Sequence, residues 1–85
     1  MTKITPIDWS NDGRPLYRQI VEQLRQLIEN GDYSPGNRIP SEAEMVRIYR
    51  CSRGTVRKAC EVLEHDELIY KKRGVGTFVS GTPKH

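Results

Sequence analysis

The sequence predicts an α+β domain that is mainly α: three helices followed by a C-terminal β-hairpin. Three observations carry that prediction. Apolar residues recur at helical spacing in three separate stretches. Residues that start or stop helices bound each stretch. After Asp66-Glu67 the period shortens to that of strands, on either side of a glycine-containing loop.

Residues 1–14 show no periodicity and contain Pro6, Asn11, Asp12 and Gly13, so they are read as a flexible N-terminal arm. Trp9, its largest apolar residue, is expected to dock on the body. Helix one is expected over residues 15–30. Leu16, Ile20, Leu24 and Ile28 recur every four residues, and Tyr17, Val21 and Leu27 widen the stripe as a core-facing helix requires. Pro15 suits the first helical position, where its missing N–H costs nothing. Gly31 suits the stop. Ser34-Pro35-Gly36-Asn37 then holds Pro and Gly in type II turn order.

Arg38-Ile39-Pro40 is expected to be short and extended, because the residue before a proline avoids the helical region. Ser41-Glu42-Ala43-Glu44 matches a capping box and opens helix two, which runs to Tyr49 with Met45, Ile48 and Tyr49 inward. So short a helix depends on packing. Arg50 and Cys51 form a tight break, and Ser52 is the next N-cap. Helix three spans residues 53–65, with Val56, Ala59, Cys60 and Leu63 at i, i+3, i+4 and i+7. Residues 68–72 and 77–80 read as strands joined by Arg73-Gly74-Val75-Gly76. The domain proper is thus residues 15–80, and residues 81–85 read as a tail or the start of a linker. Leu16, Ile20, Leu24, Val56, Leu63 and Phe78 are expected in the core. Tyr17, Tyr33, Tyr49 and Tyr70 are expected to be half-buried.

The 85 residues suit one small domain with a modest core and little room for an enclosed substrate pocket. At 35% hydrophobic and 29% charged residues, the profile is that of a folded soluble domain rather than a disordered chain. No apolar run approaches the roughly 20 residues that span a bilayer, and the N-terminus has no apolar signal region, so the chain is read as cytoplasmic with no membrane partner. Cys51 and Cys60 with His65 and His85 lack metal-site spacing. On one helix the cysteines would stand about 13 Å apart, too far for a disulfide. No cofactor is expected.

The net charge of +3 is unevenly placed. Residues 1–35 hold four Lys/Arg against five Asp/Glu, whereas residues 36–85 hold ten against six. A basic half suggests a polyanion partner; on charge alone, a solvated basic surface explains it better. The element order decides further. A short helix, a tight break and a second helix match the helix-turn-helix, whose second helix enters the major groove by its N-terminal end. That end carries Ser52, Arg53, Gly54, Thr55, Arg57 and Lys58. Arg53 and Arg57, four apart, share one face and can each read guanine with two hydrogen bonds. Ser52 and Thr55 can bind phosphate or a base. Glycine inside a helix costs roughly 0.5–1 kcal/mol, so Gly54 implies close approach to DNA, close approach to helix two, or simple tolerance. Lys71, Lys72 and Arg73 load the hairpin tip, shaped for a minor groove or a phosphate. The whole is a winged helix-turn-helix. Gly74-Val75-Gly76 is no dinucleotide fingerprint, because it opens no helix.

Four ordered stretches resemble the GntR family of bacterial regulators: Pro15-Leu16-Tyr17-Arg18-Gln19-Ile20, Pro35-Gly36-Asn37-Arg38-Ile39-Pro40-Ser41-Glu42, Ser52-Arg53-Gly54-Thr55-Val56-Arg57 and Gly74-Val75-Gly76-Thr77-Phe78-Val79. The resemblance implies a domain that binds a palindromic operator in double-stranded DNA as a homodimer. It implies DNA-contacting arginines at Arg38, Arg53 and Arg57, further contacts at Glu42, Ser52 and Thr55, and a wing contact around Arg73, Gly74 and Gly76. It also implies repression relieved by a small-molecule effector, bound by a C-terminal domain that is not in these residues. Two positions depart from the pattern. Arg50 stands where the family usually places glycine; if the left-handed geometry persists, Arg50 adds a phosphate contact. Cys60 replaces a usual leucine.

Two other readings compete with sequence-specific DNA binding without catalysis. One is a winged-helix protein-interaction module that uses the basic face on an acidic partner. The other is a small hydrolase using Cys60 and His65, which the inward position of Cys60 disfavours.

Overall fold

A computed structural model describes residues 3–7 and 13–81. In chain order the elements are α1 (Leu16–Glu29), β1 (Arg38–Ile39), α2 (Glu42–Tyr49), α3 (Arg53–His65), β2 (Ile69–Lys72) and β3 (Gly76–Val79). The strands form one antiparallel sheet in the order β1-β3-β2.

The periodic residues of α1 and α3 make the core. Ile20, Val21, Leu24 and Ile28 of α1 face Val56, Ala59, Cys60 and Leu63 of α3, and all are buried. Each such aliphatic side chain contributes roughly 1.5–3 kcal/mol of burial free energy. Met45 and Tyr49 of α2 close the core from one side, and Ile39, Ile69 and Val79 from the sheet. Leu16, expected in the core, sits half-buried at the first turn of α1. Pro15 precedes the helix instead of opening it: its ψ of 145° is extended, and its carbonyl accepts from the N–H of Arg18 and Gln19.

The turn after α1 has the type II form that its Pro-Gly order predicts. The Asn37 N–H donates to the Ser34 carbonyl at 2.9 Å, and Gly36 takes a φ of 87°. Its backbone then docks on β3, the Gly36 N–H donating to the Val79 carbonyl and the Val79 N–H to that of Asn37. Residues 38–39, read only as extended, thereby become the edge strand β1.

Pairing register corrects the expectation for Phe78. Arg38 pairs with Phe78, Ile39 with Thr77, Tyr70 with Phe78, and Ile69 with Val79. Side chains alternate across a sheet, so Ile39, Ile69 and Val79 face inward and Arg38, Tyr70 and Phe78 outward. Phe78 is half-buried on the outer face, its ring stacked on that of Tyr70 with centroids 5.8 Å apart. The tyrosines also diverge from the single class expected of them. Tyr49 and Tyr33 are buried, Tyr17 is half-buried and Tyr70 is exposed. Tyr49 tolerates burial because its hydroxyl donates to Gln23 Oε1 at 2.7 Å. Burial pushes that phenol well above the ordinary range.

Residues 3–7, read as part of an arm, lie on the body. Ile4 is a core residue at 3% exposure. The Thr5 N–H donates to Gln23 Oε1, Gln23 Nε2 donates to Thr5 Oγ1, and the Lys3 N–H donates to the Tyr33 hydroxyl. Ile4 and Ile7 in an otherwise aperiodic stretch leave no periodic signal for such docking. The expected docking of Trp9 lies outside the described residues.

Candidate nucleic-acid interface

The capping box of α2 is complete. The Glu44 N–H donates to Ser41 Oγ at 3.1 Å, and Glu44 Oε1 accepts from the Ser41 N–H at 2.7 Å. These bonds to the Ser41 backbone, and then to its side chain, hold the Glu44 carboxyl below the ordinary carboxylate range. The helix ends at Arg50 with φ 55° and ψ 54°, so the left-handed geometry of a usual glycine persists with an arginine in place. The Arg50 N–H still reaches the Val46 carbonyl. Cys51 and Ser52 complete the turn, and Ser52 Oγ accepts from the Thr55 N–H at 3.1 Å to cap α3. The hydroxyls of Ser52 and Thr55 lie 2.9 Å apart.

With Val56 and Ala59 buried, the first turns of α3 turn Arg53, Gly54, Arg57 and Lys58 to solvent. Among the described residues Arg53 makes no hydrogen bond or ion pair. The Arg57 guanidinium lies 3.9 Å from Glu42 Oε1. Lys58 Nζ sits over the Tyr17 ring, 4.4 Å from its centroid, a cation–π contact that inclines it toward α1. A Cβ at Gly54 would meet only Ser52 Oγ at 3.9 Å. Contact with α2 is therefore not the reason for this glycine.

The wing is the β2–β3 hairpin. Its turn closes with the Val75 N–H donating to the Lys72 carbonyl, Gly74 at φ 76° and Gly76 at φ 151°. Lys72 and Arg73 are exposed. Lys71 has a different task from its two neighbours: its Nζ donates to Glu42 Oε2 at 3.2 Å, and that bond holds its ammonium charged above the usual range. Strand alternation carried the signal, because Lys71 shares the face of Ile69 and Lys72 does not. Glu42, only 20% exposed in its side chain, thus joins α2 to both the wing and α3. The sequence marked Glu42 only through resemblance, and its two partners come from distant positions in the chain. Arg38 stands on the outer sheet face with its stem against Gly76.

The geometry gives no support to a thiol nucleophile. Burial pushes the Cys60 thiol up to about 11, so little thiolate exists at neutral pH. Cys51 is likewise pushed up by burial. His65 is exposed beside Asp66. Among the described residues no helix is long and apolar enough to cross a membrane.

A capped two-turn helix, a tight turn, a second helix with an arginine-rich N-terminal end and a basic hairpin define a winged helix-turn-helix DNA-binding domain. The family model for the bacterial regulatory proteins of the gntR family matches residues 16–79, and the chain belongs to that family. It is 46% identical over 66 residues to the HTH-type transcriptional repressor NagR of Bacillus subtilis (strain 168), covering 78% of this chain and 27% of that protein. It is 41% identical over 66 residues to a histidine utilization repressor of Pseudomonas putida, with the same coverage of 78% and 27%. The chain therefore spans about a quarter of the length of these curated relatives. Among solved structures, AraR(DBD) in complex with operator ORX1 is 34% identical with a TM-score of 0.78, over 91% of this chain and 93% of that one. YtrA from Sulfolobus acidocaldarius, a GntR-family transcription factor, is 29% identical with a TM-score of 0.84, over 94% and 83%.

Proposed function

We propose that the domain reads a specific sequence in duplex DNA and serves a bacterial transcription repressor in the cytoplasm. The observation that carries the reading is the exposed pair Arg53 and Arg57 at the capped N-terminal end of α3. That end enters the major groove, where each guanidinium can bind guanine O6 and N7. Ser52, Thr55 and the first N–H groups of α3 face a phosphate. Gly54, with open space around its Cα, permits close approach of the helix. Arg50 and Lys58 add phosphate contacts on the flanks. Lys72 and Arg73 carry the wing to the neighbouring minor groove or backbone, with Gly74 and Gly76 keeping its turn narrow. Arg38 and Glu42 complete the surface. The likeness to NagR and to the histidine utilization repressor, both repressors, and to AraR(DBD) bound to an operator supports this reading. In it two copies bind a palindromic operator as a homodimer, and a small-molecule effector acts through a domain outside these residues.

Selection from random duplex DNA tests the reading, the expected product being a two-fold symmetric site. On that site Arg57→Ala should cost about 1–3 kcal/mol and relax one base position. Lys72→Ala should weaken all duplexes alike and reduce the salt slope by about one. Equal losses on selected and scrambled duplexes would remove Arg57 as a base reader. Failure to bind any duplex in dilute buffer would refute the function.

A further inference from the structure

The outer face of the sheet holds Arg38 of β1, which makes no hydrogen bond or ion pair among the described residues, with Gly76 of β3 beneath it. Arg38 pairs with Phe78 across the β1–β3 ladder, so its diagonal neighbour on the same face is Gly76. Phe78 is occupied by its stack on Tyr70. The Arg38 stem runs the other way, across Gly76. A Cβ at Gly76 would lie 2.7 Å from Arg38 Nε, 3.4 Å from its Cδ and 3.6 Å from its Cγ. The first of these is far inside the roughly 3.5–4.0 Å of a comfortable non-bonded contact. Any side chain at position 76 therefore lifts the guanidinium or pushes it aside.

Gly74 provides the contrast. Its φ of 76° also favours glycine, yet a Cβ there would meet nothing within 4 Å. Backbone geometry accounts for Gly74, whereas Gly76 has a second reason, the stem lying on it. Arg38 is exposed and makes no hydrogen bond or ion pair among the described residues; the Glu44 carboxylate acts on it only through charge, and its close contact is the stem on Gly76. A stem already laid in place loses less freedom when its head binds.

We propose that Gly76 is a positioning residue for Arg38: its missing side chain lays the arginine along the wing and aims the guanidinium at DNA. The glycine then acts through the arginine, and not only by letting the wing backbone approach a groove. The inference rests on the DNA-binding reading.

A double-mutant cycle on a duplex selected by the unaltered chain tests it. Gly76→Ala and Arg38→Ala should each weaken binding about tenfold, the size of one lost arginine contact. The double variant should bind within about threefold of Arg38→Ala, and Gly31→Ala, at a positive φ of 86° with nothing within 4 Å of its Cβ and far from the wing, should lose less than about threefold. In the DNA-free chain, NMR should show a nuclear Overhauser contact between Arg38 Nε–H and Gly76 Hα. The Arg38 Nε resonance should move in Gly76→Ala and stay in place in Gly74→Ala. Independent, additive losses, no cost of Arg38→Ala, or absence of the Overhauser contact would each overturn the inference while the DNA-binding reading stands. A chain that binds no duplex overturns both. If Gly76→Ala unfolds, the Overhauser measurement on the unaltered chain still decides.

Discussion

Arg50→Gly should stabilise the fold and weaken binding to DNA, two effects of opposite sign from one residue. Arg50 holds φ 55° and ψ 54° at the end of α2. An L-residue there carries roughly 1–2 kcal/mol of strain that glycine lacks. Glycine gives back about 0.4–1 kcal/mol through the greater freedom of its unfolded chain. The side chain is exposed, so no packing is lost, and the backbone bond to Val46 is unaffected. The net gain is about 0.5–1 kcal/mol, a melting temperature higher by about 2–8 °C in a domain this small. Calorimetry reads that shift directly. Titrating a selected duplex at several salt concentrations reads the other effect, a salt slope smaller by about one if the guanidinium meets a phosphate. Arg50→Ala separates the two, because it keeps the strain and loses the charge. A melting temperature that falls in Arg50→Gly would refute the strain argument, and an unchanged slope would refute the phosphate contact.

Four further outcomes are expected. Leu24→Ala removes a fully buried side chain between α1 and α3 and should cost about 2–5 kcal/mol in denaturant unfolding. Ser41→Ala breaks the capping box and should cost about 1 kcal/mol, with Met45 and Tyr49 losing their alignment on the core. Glu44 is more acidic in the folded chain than its ordinary value of 4.5, so its stabilising effect is complete above that pH and fades as pH falls through the lower folded value; an acid unfolding curve of Glu44→Gln should lack that component. Glu42→Gln should change stability by less than about 1 kcal/mol, because its partners Lys71 and Arg57 are substantially exposed, yet narrow the gap between selected and scrambled duplexes.

Periodic elements could be read from the chain because their residues are neighbours in sequence. The stripe of α1, the box of Ser41 and Glu44, the cap at Ser52 and the type II turn at Gly36 each depend on residues within a few positions. What escaped the reading depends on distant partners. Two residues make a strand of β1 only because β3 is beside them. Phe78 and Val79 are both apolar, and register alone decides which faces the core. Tyr49 can be buried because Gln23 accepts its hydrogen bond, and Ile4 because α1 and its neighbours leave it a place. The same holds at the site. Arg53 and Arg57 were found from helix position, whereas the link from Glu42 to Lys71 joins residues on separate elements.

Glu42 explains why a carboxylate belongs on a surface otherwise suited to a polyanion. Opening α2, its charge is favoured by the helix N-terminus. There it holds Lys71 inward at 3.2 Å and stands 3.9 Å from Arg57. Exposed pairs contribute roughly 0–1 kcal/mol each, so stability is not the main consequence. Orientation is. Lys71 is kept off the wing tip, which leaves Lys72 and Arg73 to define it. Arg57, at the longer distance, is loosely held and can leave for a base edge at little cost. In the DNA-binding reading a phosphate drawn to Arg57 would also meet the Glu42 carboxylate and be repelled. A guanine edge presents neutral acceptors and meets no such penalty. One negative charge therefore biases its neighbouring arginine away from the contact every duplex offers and toward the one that only certain sequences provide.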